Sequence, residues 1–124
     1  MRPKATSLTG PQLEIMNVVW GKGEATVRDV YEALRARRPI AYTTVMTTMK
    51  TMEARGHLKK KIEGRAFVYG AAEPRSRMLR SVVADFIDRV FNGSVEPLLA
   101  HLVEERRVSK KDLDEIIRMI REKR

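Results

Sequence analysis

The chain has 124 residues, enough for one domain or for a small domain with an appendage. Its 25 Lys+Arg against 16 Asp+Glu leave a net charge of +9, which favours a polyanionic partner: nucleic acid first, an anionic membrane surface second. The absence of cysteine excludes disulfides, thiolate metal sites and cysteine nucleophiles.

Two histidines far apart, His57 and His101, argue against a histidine metal site, so no metal and no cofactor is expected. No apolar run approaches the ~20 residues that cross a bilayer, and no apolar segment follows Met1-Arg2-Pro3-Lys4. A cytoplasmic protein without membrane insertion is the expectation. An enzyme is the least favoured class. The acidic pairs Asp29/Glu32 and Asp112/Glu115 sit where helices start and complement the helix dipole, and Gly21-Lys22-Gly23 lacks the spacing of a phosphate loop.

Helical periodicity opens the chain. Leu13, Met16 and Trp20 fall on one stripe widened by Ile15 and Val19, with Thr9 as N-cap and Pro11 in the first turn. Gly21-Lys22-Gly23 should end this helix. A second begins at the capping box Thr26-x-x-Asp29, carries Val27, Val30, Tyr31 and Leu34, and should stop before Pro39. A third spans about residues 42–55 and closes at Gly56. The period then changes. Residues 57–62 and 66–71, bent around Glu63-Gly64-Arg65, read as a β-hairpin, and a short strand near Ala25 would add a third member. This order predicts a mainly α protein with a small hairpin, a winged helix-turn-helix over residues 1–73.

From residue 74 to 124 three more helices are expected. Leu79, Val82, Val83, Phe86, Ile87, Val90 and Phe91 form one stripe, broken at Asn92-Gly93-Ser94. Val95, Leu98, Leu99, Leu102 and Val103 form a second. Ser109-x-x-Asp112 caps a last helix bearing Leu113, Ile116, Ile117 and Ile120. Some 50 residues in three helices cannot enclose so much apolar surface by themselves. Either the segment folds back on the first domain or it pairs with a second copy; pairing is favoured, through Leu79, Val83, Phe86, Val90, Leu98, Leu102, Ile116 and Ile120.

The charge is uneven: residues 1–73 hold 13 Lys+Arg and 7 Asp+Glu, residues 74–124 hold 12 and 9. At 100° per residue the third helix buries Val45, Met49 and Met52. It turns outward Thr43, Thr47 and Lys50, flanked by Thr44, Thr51 and Met46, with Thr48 at the edge of the core. A merely solvated face would carry Glu and Lys. Threonine suits a major groove: its hydroxyl bonds base edges and its methyl packs on thymine. In the hairpin, Lys59, Lys60, Lys61 and Arg65 would lie along phosphates, supplying affinity but little sequence information.

The stretch Ala41-Tyr42-Thr43-Thr44-Val45-Met46-Thr47-Thr48-Met49, continuing to Gly56-His57-Leu58, resembles the recognition-helix segment of penicillinase-repressor-type (BlaI/MecI-like) transcriptional regulators. So do Leu13-Glu14-Ile15-Met16 leading to Trp20-Gly21, and Val27-Arg28-Asp29-Val30. The resemblance covers nearly the whole chain. It implies a homodimeric winged-helix repressor on an inverted-repeat operator, with Thr43, Thr44, Thr47 and Lys50 on the reading helix. Met46 and Thr51 stand where some members have basic residues.

In the β-lactam branch a membrane-bound sensor protease system leads to cleavage in the second C-terminal helix. The resemblance therefore adds a sensor protease as a partner to consider and places the matching region at Leu99-Ala100-His101-Leu102. Ala100-His101 replaces the Asn-Phe type bond there. The copper-responsive branch uses a cysteine hook, which this chain lacks. Two further readings use the same residues: a sequence-nonspecific DNA-packaging protein, and a winged helix turned to protein–protein contact.

Overall fold

The computed structural model describes residues 8–122, so the basic stretch Met1–Lys4 and the terminal Lys123-Arg124 lie outside the described residues. Element order is α1 (Gly10–Lys22), β1 (Glu24–Ala25), α2 (Val27–Arg35), α3 (Tyr42–Ala54), β2 (Leu58–Glu63), β3 (Ala66–Ala71), α4 (Arg75–Phe91), α5 (Glu96–Glu104) and α6 (Lys110–Glu122). The chain divides into two compact units, Met1–Val83 and Ala84–Arg124.

In the first unit the helix starts are fixed by side chains. Thr9 Oγ1 accepts from the Gln12 amide and Gln12 Oε1 accepts from the Thr9 amide, both at 3.2 Å. Thr26 and Asp29 form the same reciprocal pair at 3.0 Å. Each box satisfies two backbone donors that a helix start leaves open. α1 runs through Gly21 and ends only at Gly23, whose φ of 86° a side chain would resist. α2 stops earlier than Pro39 alone would require. The amides of Arg37 and Arg38 both turn back onto the Leu34 carbonyl, at 2.9 and 3.2 Å, closing the helix just after its last buried residue. α3 ends in a Schellman motif: His57 N–H donates to Met52 O, Gly56 N–H to Glu53 O, and Gly56 takes φ +88°.

The sheet is antiparallel with order β1-β3-β2. Lys59 faces Gly70, Ile62 faces Phe67 and Glu63 faces Ala66, leaving Gly64-Arg65 as a two-residue turn in which Gly64 has positive φ. β1 pairs Glu24 with Gly70 and Ala25 with Tyr69, supplying the expected third member. One core gathers Ile15, Met16 and Val19 of α1, Val30 and Leu34 of α2, Val45, Met49 and Met52 of α3, then Leu58, Tyr69 and Met78. The stripe of α1 is centred on Ile15 and Met16 rather than on Leu13 and Trp20, which are only partly buried. Met78 shows that the first turns of α4 belong to this core. The result is a winged helix-turn-helix followed by a helical C-terminal segment.

The second unit is organised differently. No described residue from Ala84 onward is buried. α6 starts at the Ser109–Asp112 capping box, at 3.1 and 3.0 Å. α5 ends in a Schellman motif whose left-handed residue is Arg106, φ 59°, where glycine is usual.

Candidate nucleic-acid interface

α3 is anchored by one side only. Val45, Met49 and Met52 are fully buried, which sends Thr43, Thr44, Thr47, Lys50 and Thr51 to the surface and leaves Met46 half-buried. Thr48 donates its hydroxyl to the Thr44 carbonyl at 2.8 Å, so its polar group is committed to its own helix. The six outward side chains do not share one direction. Thr44 joins Thr48, Pro39 and Ile40 around a hollow of about 270 Å³ at the α2–α3 junction. Met46 and Lys50 line a larger cleft on the opposite flank. Thr43 and Thr47 lie between the two, on the crest of the helix.

The cleft holds about 440 Å³. Its walls are the first turn of α2 (Thr26, Val27, Arg28), the α3 flank (Tyr42, Met46, Lys50) and the hairpin (Arg65, Ala66, Phe67, Tyr69). Tyr42 is fixed from two sides: the Tyr31 ring meets it edge-on at 5.4 Å and the Arg28 guanidinium lies 5.2 Å from its centroid. Arg28 also pairs with Glu32 at 3.3 Å. Arg35, then Arg28, hold the Glu32 carboxyl below the usual glutamate range, so it stays anionic and tethers both guanidiniums. An apolar floor rimmed by Arg28, Lys50 and Arg65 suits a strand that is anionic at its phosphates and apolar at its sugars.

Strand alternation separates the three wing lysines. Lys60 shares the helix-facing side with buried Leu58 and Tyr69; its ammonium lies 3.5 Å from Glu53 of α3 and 4.3 Å over the Phe67 ring. Lys59 and Lys61 share the opposite side, around a hollow of about 390 Å³ with Gly23, Glu24 and Val68. Lys61 bridges Glu24 at 2.9 Å and Glu63 at 3.5 Å, and the Glu24 hydrogen bond raises its pKa. The run Lys59-Lys60-Lys61 is thus three differently engaged cations.

The model of the family described as penicillinase repressor matches residues 8–122. The chain belongs to this family. It is 32% identical over 121 residues to the transcriptional regulator BlaI of Mycobacterium tuberculosis (strain CDC 1551 / Oshkosh), covering 96% of this chain and 86% of that protein. It is 22% identical over 123 residues to the methicillin resistance regulatory protein MecI of Mammaliicoccus sciuri, covering 99% and 100%. The MecI of Staphylococcus aureus (strain N315) is 21% identical over the same length and coverage.

In this penicillinase-repressor family member, the cleft brings in side chains that periodicity did not single out as site residues: Arg28, Tyr42 and Phe67. Their signal in the sequence is weak, because they come from three different elements that only the fold makes neighbours. Of the side chains expected to pair two copies, Val83, Phe86, Val90, Ile116 and Ile120 are exposed, while Leu79, Leu98 and Leu102 are half-buried. Ala100 and His101 are both exposed within the helical backbone of α5. Among the described residues no group of three or more His, Asp or Glu is placed to hold a metal ion, and no helix is long and apolar enough to cross a membrane.

Proposed function

We propose that this chain is a DNA-binding transcriptional repressor that acts as a dimer on an inverted-repeat operator and occludes a promoter. α3 enters the major groove, with Thr43 and Thr47 foremost and Lys50, Met46, Thr44 and Thr51 beside them. Lys59, Lys60, Lys61 and Arg65 of the wing hold phosphates, joined by Arg28 at the mouth of the cleft. Residues 1–73 read DNA, and residues 74–124 join two copies.

The observation that carries this reading is the crest of α3. A helix clamped by three fully buried residues presents short threonines outward, beside a cleft rimmed with cations. The regulatory names of the BlaI and MecI relatives point the same way. Dimerisation is supported by the second unit, in which no described residue is buried although Phe86, Val90, Ile116 and Ile120 are all apolar.

The test is selection of binding sites from a random duplex pool at about physiological salt, with the mass of the protein in solution measured alongside. An enriched inverted repeat with half-sites about one helical turn apart, bound by a dimer, is the expected result. Tight, salt-sensitive binding without enrichment would instead mean a DNA-packaging protein. No duplex binding would mean a protein-contact module.

A further inference from the structure

The cleft between α3 and the hairpin is more apolar beneath its rim than a phosphate track requires. Met46, Phe67 and Tyr69 line it, with Tyr42 beside them. Tyr42 and Phe67 are 36% and 50% exposed, so two aromatic rings meet solvent inside one hollow. Phosphate oxygens are met by cations and N–H donors and need no aromatic rings below them. At about 440 Å³ the hollow has the size of a small-molecule site, which is typically ~300–1,000 Å³, apolar inside and edged by a few polar groups.

We infer that this cleft binds a small planar aromatic carboxylate, and that this molecule and the operator exclude each other. The exclusion rests on the DNA-binding reading above, which gives Met46, Lys50 and Arg65 to the duplex. Charge decides the occupant. Arg28, Lys50 and Arg65 line the cleft and no carboxylate does. Arg28 is already committed to Glu32 and to the Tyr42 ring. Lys50 and Arg65 have no ion-pair partner among the described residues. They come from different walls, one from α3 and one from the hairpin turn, so an anion at the mouth meets positive potential from both. A neutral aromatic molecule would leave these cations unused, and a bare phosphate would leave the rings in water.

The rings are set before any ligand arrives. Tyr42 is held by Tyr31 and Arg28. Beside Phe67, the Lys60 ammonium lies 4.3 Å from the ring centroid and 3.5 Å from Glu53 of α3. Little ordering is then left for a flat molecule to impose. Its ring would lie between Met46 of the reading helix and Phe67 of the wing, where a backbone strand otherwise runs. Release of DNA would need no change of fold.

The experiment uses the full chain with 2-naphthoate, its uncharged analogue 2-naphthalenemethanol, and acetate as the anion without rings. Calorimetry measures each on the free protein. Methionine methyl NMR signals locate the molecule, with Met46 assigned by its loss in Met46→Leu. Phe67→Ala removes a wall and Arg65→Gln removes a cation, and both variants are checked by thermal melting.

The wild type should bind 2-naphthoate about tenfold more tightly than 2-naphthalenemethanol and give no heat with acetate. The Met46 methyl should shift ahead of the other methionines. Phe67→Ala should weaken both naphthalene probes about tenfold, whereas Arg65→Gln should weaken 2-naphthoate about fivefold and leave the alcohol unchanged. Saturating 2-naphthoate should weaken binding of the selected operator duplex by about tenfold or more in the wild type, and much less in Phe67→Ala. Binding of 2-naphthoate that neither variant changes, or equal affinity for acid and alcohol, would overturn the site. Duplex and 2-naphthoate bound together at unchanged affinities would overturn the exclusion. A wild type that binds duplex but no 2-naphthoate removes the ligand site and leaves the DNA-binding reading standing. If the wild type binds no duplex, that reading fails, while calorimetry and the Met46 signal still decide the ligand site.

Discussion

Thr43 and Thr47 sit one turn apart on the crest of α3, clear of both hollows beside it, and the proposed function gives them base contact while the wing cations take the backbone. Replacing Thr47 with Ala should lower discrimination between operator and random duplex by about 1 kcal/mol, roughly fivefold, with little loss on random duplex. Competition binding checks this, and equal losses on both duplexes would remove Thr47 from base reading. The wing lysines make the complementary case. Replacing Lys59 with Ala should weaken all duplexes alike and reduce the salt slope by about one. Lys61 already neutralises Glu24 and Glu63, so its replacement by Ala should move the slope less than that of Lys59. A salt titration of both variants decides the order. In sequence the three lysines are indistinguishable. Their difference arises because strand alternation places Lys60 against Glu53 and Phe67 and hands Lys61 to β1.

At the scale of elements, most starts and stops were legible because they depend on neighbours in sequence. The Thr26–Asp29 and Ser109–Asp112 boxes, the left-handed glycine after α3 and the glycine turn of the hairpin are all local chemistry. The early end of α2 was less so, since it depends on Leu34 being the last residue that reaches the core. Two predictions follow from these ends. The amide and hydroxyl of Thr26 hold the Asp29 carboxyl below the usual aspartate range. A depressed carboxyl gives stability that is fully present above about pH 4 and is lost as pH falls through the lowered folded value. The melting-temperature gap between wild type and Asp29→Ala should therefore be constant near neutrality and narrow in acid; a gap that does not narrow as pH is lowered from about 4 would contradict the assignment. At the end of α5, Arg106 holds a left-handed backbone that disfavours side chains. Arg106→Gly should raise stability by about 1 kcal/mol, measured by urea unfolding at fixed protein concentration. A neutral or destabilising result would show that the arginine side chain compensates its own backbone.

For the whole molecule, the contrast between the two units is the strongest argument for a second copy. The first unit closes a core of a dozen side chains from seven elements. In the second unit α5 and α6 hold no fully buried residue, a state that isolated helices of 9 and 13 residues do not sustain in water without a packed apolar face. Phe86 tests this directly. It is 44% exposed and meets only Phe91 among aromatic rings, edge-on at 5.8 Å. Phe86→Asp would therefore be tolerated in a lone chain but would place an unpaired carboxylate in an apolar interface, where its desolvation outweighs the lost contact. The variant should sediment at single-chain mass and lose the concentration dependence of its melting temperature. Its operator affinity should fall much more than its affinity for random duplex, because two half-sites are no longer bound as one ligand. An unchanged sedimentation profile would place the interface elsewhere on α4–α6, and a monomeric variant that still bound the full operator as tightly as the wild type would show that reading needs only one winged helix.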